Sequence, residues 1–154
     1  MNNTFGEITE SSLHKEIDLI ENIIERMADN AFKARGWYVT LLVALVSLTK
    51  DNLPFAIGCV PIISIPFWGL TAFFLCTERN YRKVYDYIIS LRQKGDYSNM
   101  YRLNLDLYKG DLEYEKIYNN LLRPTIWPFY LLPIIAAVIF IFLNYPLFYP
   151  YIFK

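Results

Sequence analysis

Histidine is nearly absent from this sequence of 154 residues, where His14 stands alone. One imidazole, with no cysteine outside the apolar stretches, cannot assemble a zinc site or a Cys–His nucleophile pair. His14 lies near an expected helix start and reads as a solvated surface residue. Glycine is scarce too, six in all, and none stands at the spacing of a phosphate-binding loop. Cys59 and Cys76 are 17 residues apart in one apolar stretch, nearly five helical turns, which excludes a disulfide between them. The N-terminal run is polar and acidic, and lacks the basic start and apolar core of a cleavable signal peptide. Together these absences predict no catalytic residue, no metal, no cofactor, and therefore no enzyme.

Charge is sparse and unevenly spread. Charged residues make up 19% of the chain against 55% hydrophobic and 18% aromatic, and the mean hydropathy is +0.22. A soluble domain carries roughly 25% charged residues. Lys50 and Asp51 are the only charges between Gly36 and Thr77, and residues 124–153 have none. The balance of 15 basic and 15 acidic residues thus conceals two bare apolar blocks between charged ones.

Residues 9–35 read as an amphipathic helix, with Ser11 and Ser12 as candidate N-caps and Glu16 and Asp18 near its start. Leu13, Ile17, Ile20, Ile24, Met27 and Ala31 recur at alternating spacings of four and three, the seam of a heptad repeat. The same count continues through Ala34, Tyr38, Leu41, Leu45 and Leu48 into the first apolar block. One helix from about residue 12 to 49 is expected, with Gly36 as a flex point. A first span over 36–49, a polar turn at Lys50-Asp51-Asn52 and a second span over 53–76 form a hairpin, in which Pro61 and Pro66 predict a kink. Residues 78–123 form a polar insert. Tyr81, Val84, Tyr85, Ile88 and Leu91 carry a helical stripe to Gly95. Leu103, Leu105 and Leu107 then alternate as a short strand or extended segment would, and Asp111 is the candidate N-cap of a last short helix bearing Tyr114, Ile117, Tyr118 and Leu121. A third span over 126–143 follows, with an aromatic tail of Tyr145, Phe148, Tyr149, Tyr151 and Phe153 in the closing segment 124–154. The expected fold is an all-α membrane protein: a long amphipathic helix (1–35) entering a two-span hairpin (36–77), a small helical insert (78–123) and a third span. Thirteen of the 15 basic residues fall in residues 1–35 and 78–123, which predicts an inner-membrane protein with its N-terminus and insert cytoplasmic and Lys154 outside.

Three constellations bear on function, each with a plainer alternative. The seam of Leu13, Ile17, Ile20, Ile24 and Met27 either packs within the chain or joins copies of it. A seam in phase for five heptads needs a partner of matching length, and another copy supplies one, which favours a homo-oligomer, a tetramer foremost. Thr40 and Ser47 share a face, and with Leu41 and Leu48 they would line or close a path. The same hydroxyls would serve a helix–helix contact, and Ser64 and Thr71 present the same choice. Arg79, Arg82, Lys83 and Arg92, interleaved with tyrosines, suit an anionic ligand, or else orientation and contact with anionic lipid.

The run Arg26-Met27-Ala28-Asp29-Asn30-Ala31-Phe32 with Gly36-Trp37 resembles a signature of small bacterial membrane proteins. So do Phe67-Trp68-Gly69-Leu70 with Phe74-Leu75 and Glu78-Arg79, and Trp127-Pro128-Phe129-Tyr130. Thr71 stands where an acidic residue often follows the Gly-Leu pair in those proteins, so no intramembrane carboxylate is carried over. In architecture the chain is similar to the membrane effectors of bacterial anti-phage operons, of the SLATT type and the channel-forming partner of Hailong-type systems. That resemblance implies an oligomeric ion channel or pore-forming effector, gated by a nucleotide or oligonucleotide made by an operon neighbour. The alternative is a non-conducting anchor or assembly subunit that recruits a cytoplasmic partner.

Overall fold

The computed structural model describes residues 10–49 and 51–144, so Lys50 and the aromatic tail lie outside the described residues. All regular structure among them is helical. Helix α1 spans Glu10–Leu48, α2 spans Leu53–Gln93, α3 is the short Ile117–Leu121, and α4 spans Trp127–Leu143. At 1.5 Å per residue, the 39 residues of α1 and the 41 of α2 extend to about 60 Å each.

The unbroken heptad predicted one long first helix, and α1 is that helix, continuous through Gly36. It begins at Glu10, so Ser11 and Ser12 lie inside its first turn rather than capping it. The chain reverses at Thr49–Asn52. There the Asn52 side chain accepts the Phe55 N–H at 3.4 Å, and Pro54 occupies the first turn of α2, where a missing N–H is harmless. Pro61 and Pro66 stand inside α2, which stays one helix past both. It also continues beyond Thr77 without a boundary, and ends at Gln93. The Gly95 N–H bonds to the Arg92 carbonyl and the Asp96 N–H to that of Leu91, while Gly95 takes a φ of 77°, the left-handed closure that glycine adopts freely.

Antiparallel packing of α1 on α2 buries the middle of the seam, from Ile20 to Tyr38, and leaves Leu41 and Leu48 exposed. Ile20 is fully buried with Val84, Ile88 and Tyr108, and Ile24 packs against that cluster. Farther along the hairpin, Ala31, Ala34 and Tyr38 are buried, and Tyr38 joins Ile126 and Tyr130 in a second cluster flanked by Phe67, Trp68 and Leu75. Helix α2, at 41 residues against the 39 of α1, is a partner of matching length within the chain itself, whereas the heptad pattern had pointed to another copy. The stripe already visible from Tyr81 to Leu91 belongs to the same helix as the apolar block before it.

After Gly95 the chain runs back along α2 toward α4. Leu105–Tyr108 is a 3₁₀ turn and not a strand. Asn104 accepts the Asp106 N–H on its side chain at 2.9 Å and the Leu107 N–H on its carbonyl at 3.1 Å, so backbone groups that a ladder would use are closed locally. Lys116, not Asp111, precedes α3, and Tyr114 lies before the helix rather than in it. Asn80 reads the backbone of Glu115 at both ends, accepting its N–H at 2.8 Å and donating to its carbonyl at 3.2 Å. The Trp68 indole donates to the Leu121 carbonyl at 3.0 Å. This strap delivers the chain to α4, which packs against α2 beside Tyr38.

Candidate functional site

The polar end of the hairpin is closed by one ion pair. Glu16 is fully buried on α1, and Arg92, in the last turn of α2, has a side chain only 8% exposed. Arg92 donates from Nε to Glu16 Oε2 and from Nη2 to Oε1, both at 2.8 Å, and from Nη1 to the Asp96 carbonyl. The Tyr101 N–H adds a third bond to Oε1 at 2.8 Å, and the Tyr101 hydroxyl reaches the Ser12 carbonyl at 2.9 Å. Tyr101 has a φ of 63°, in the left-handed region that costs a bulky residue about 1–3 kcal/mol. The two tethers to α1 hold it there. Hydrogen bonding to Glu16 raises the Arg92 pKa against the opposing effect of burial, so the guanidinium stays charged.

The other cations proposed from sequence are also engaged. Arg82 pairs with Glu78 at 2.7 Å, Lys83 donates to the Glu113 carbonyl at 2.8 Å, and Arg79 stands 3.8 Å from Glu115. Arg79, Arg82 and Lys83 share one stretch of α2, but Arg92 lies about 14–20 Å farther along at 1.5 Å per residue, so the four do not converge. A groove of about 610 Å³ beside Arg82 is lined by Glu21, Glu25 and Asp86 along with Ile24, Ala28 and Tyr85. Three carboxylates against one guanidinium oppose an anion there. Glu115 gathers the cations nearer α4, with Arg123 at 3.0 Å from both its oxygens. Burial pushes the Glu115 pKa up. The hydrogen bond from Asn120 and the charges of Arg123 and Arg79 outweigh it and leave the carboxyl below its ordinary value.

The apolar half contains two kinds of hydroxyl. Ser64 and Thr71, which share a face, are fully buried between helices. Ser64 donates to the Val60 carbonyl at 2.7 Å and so accepts from the Tyr38 hydroxyl at 2.9 Å. Thr71 and Tyr130 share a hydrogen bond of 2.6 Å between α2 and α4, and the Tyr38 and Tyr130 rings lie 4.8 Å apart. Thr40 and Ser47 face outward, and each donates into its own helix, to the Gly36 carbonyl at 3.0 Å and the Val43 carbonyl at 2.8 Å. Leu41 and Leu48 are exposed on the adjacent stripe. Gly36 is exposed, Pro66 is exposed and Pro61 half-buried, all three within continuous helix.

No protein family, curated protein or solved structure matched the chain. Geometry therefore carries the functional reading. Sequence reasoning had placed Leu13, Ile17, Ile20, Ile24 and Met27 on one face. In the structure that face meets α2, with Ile20 at its centre and Leu13 and Ile17 bordering a smaller groove with Ile89 and Arg92. It missed Glu16, Tyr101, Asn80 and Glu115, whose partners lie far off in sequence. The one available signal was Glu16 itself, an acid next to a heptad position on the apolar side.

Arg35 stands apart from these networks. It enters none of the ion pairs among the described residues, and its Nε is buried without a hydrogen-bond partner.

Proposed function

We propose that this chain is the subunit of a homo-oligomeric inner-membrane channel or pore-forming effector, with the apolar half of the hairpin and α4 in the bilayer and the polar half as a cytoplasmic stalk. Two of its helices, Glu10–Leu48 and Leu53–Gln93, are long and apolar enough to cross a membrane. Only 17% and 22% of the residues in their most apolar windows are buried, so most of that surface needs a non-aqueous neighbour. Helix α4, at 17 residues, covers about 26 Å of a hydrocarbon core near 30 Å. The basic residues concentrate on the stalk side, which supports an inside N-terminus by the positive-inside rule.

The observation behind a conducting role is the position of Thr40 and Ser47. Among the described residues of the three apolar segments, they are the outward-facing hydroxyls, on one stripe with Gly36 and Val43. In a tetramer that stripe would face the axis, with Leu41 and Leu48 beside it as an apolar constriction. Because α2 covers the seam from Ile20 to Tyr38, assembly would use this outer face of α1. A nucleotide or oligonucleotide signal at the stalk would have to displace Glu78, Glu115 or the Glu113 carbonyl from Arg79, Arg82 and Lys83.

A second reading, the non-conducting anchor, is favoured by one feature. Both outward hydroxyls already donate to their own helix, so lipid can cover them at little cost. Reconstitution in liposomes separates the two. Ion flux that falls in Thr40→Val/Ser47→Ala supports the channel. Silence under every nucleotide tested, together with tight binding of a cytoplasmic protein partner, supports the anchor.

A further inference from the structure

The three tryptophans of the chain lie at one level of the bundle. Trp37 borders a groove with Phe67, Trp68 packs on the Tyr38, Ile126 and Tyr130 cluster, and Trp127 opens α4 next to Ile126. Such a ring marks the boundary between hydrocarbon and headgroups. On its polar side, Lys33 pairs with Asp29, Arg82 with Glu78, and Arg79 and Arg123 share Glu115. Counting Arg35, this collar has five cations against those three carboxylates, a surplus of two.

Arg35 is the member of the collar with no carboxylate. It lies on α1 one turn before Tyr38, whose ring meets Tyr130 at 4.8 Å near the start of α4, so Arg35 stands on the side of α1 that borders the crevice with α4. A further feature makes that crevice electropositive: no side chain caps the N-terminus of α4, whose helix dipole is positive at that end. Arg123 precedes it, with Nη2 on Glu115 and its Nε buried without a partner. A guanidinium fork without a carboxylate, beside an uncapped helix start, matches a tetrahedral oxyanion, and arginine binds phosphate bidentately.

We propose that Arg35 and the start of α4 form a binding site for a phosphate group, and that the ring of tryptophans supplies it as the headgroup of an anionic lipid of the inner leaflet. This rests on the membrane placement of the three spans, not on conduction. The site would be occupied in the resting protein and would fix the depth of α1 against α4.

The test uses the full chain extracted from vesicles of phosphatidylcholine with or without phosphatidylglycerol, with native mass spectrometry of the lipids retained. Wild type should keep phosphatidylglycerol in preference to phosphatidylcholine. Arg35→Gln should cut that preference roughly fivefold, the worth of one arginine at an anionic surface. Arg82→Gln, which lies in the collar but is paired to Glu78, should leave it unchanged. Circular dichroism checks the fold of each variant. If Arg35→Gln fails to fold, Arg35→Lys takes its place and should retain an intermediate amount, since lysine keeps the charge and gives up the fork. Equal retention by wild type and the Arg35 variants overturns the site. Inorganic phosphate that displaces the lipid in detergent at the lipid's own concentration overturns the lipid as its source.

Discussion

Replacing Glu16 with alanine removes the carboxylate that receives two bonds from Arg92 and one from the Tyr101 N–H. Arg92, 8% exposed, would keep only its bond to the Asp96 carbonyl. Breaking one side of a buried ion pair costs about 3–5 kcal/mol, because the remaining charge stays desolvated. Tyr101, no longer tethered through its N–H, would leave its left-handed φ and release about 1–3 kcal/mol, so part of the loss returns as relaxation of residues 94–104. The signature is therefore local. Hydrogen exchange of reconstituted protein should show protection at Tyr101, Tyr108 and Ile88 falling by roughly one to three powers of ten, the ion-pair loss less the relaxation, limited by the stability of the stalk itself. Amides of α4 should stay as they were. Arg92→Leu should do the same, while Glu16→Leu/Arg92→Leu should recover most of the protection, since two apolar side chains of similar size leave no orphaned charge. If the double variant loses the sum of the two single losses, the groups are uncoupled and the closure of the stalk by this pair is refuted.

Two further outcomes follow from the strap and the apolar half. The Glu115 pKa is lowered in the fold, so its contribution is complete above the ordinary carboxyl value near 4.3 and drains as pH falls through the depressed folded value. Trp68 fluorescence, which reports the hold on Leu121, should shift over that acid range in wild type, and Glu115→Gln should show the altered signal already at neutral pH. Tyr130→Phe removes the hydrogen bond to Thr71 while keeping the ring contact with Tyr38. Thermal unfolding in detergent should show a loss of about 0.6 kcal/mol, up to ~1.7, and a larger loss would mean that Thr71 finds no substitute acceptor.

The helices were legible where a periodicity persisted. The stripe from Leu13 to Leu48 crosses from polar to apolar sequence in register, and α1 crosses it as one helix. The stripe from Tyr81 to Leu91 was equally visible, but treating Cys76 as the end of a span hid the fact that α2 equals α1 in length. Pro61 and Pro66 each remove one N–H, yet the flanking turns carry α2 past both as one 41-residue helix. Alternating Leu103, Leu105 and Leu107 suggested a strand because the Asn104 cap, a local hydrogen bond, has no periodic signature. The pairs Glu16–Arg92 and Asn80–Glu115 were out of reach, since a separation of 76 or 35 residues leaves no local pattern. Ser64 and Thr71 were placed on a common face, but their tyrosine partners come from two other helices.

Helix α2 runs as one element between the Arg92 clasp and the turn at Asn52. An articulated receptor would absorb a disturbance in a hinge, whereas a continuous helix of about 60 Å would act as a lever. Its fulcrum would be the tryptophan level, where Trp68 is tied to Leu121, with arms of about 38 Å to Gln93 and about 23 Å to Leu53. Loosening the clasp by a few ångströms at Gln93 would then appear, with opposite sign and roughly three-fifths of the amplitude, at Leu53.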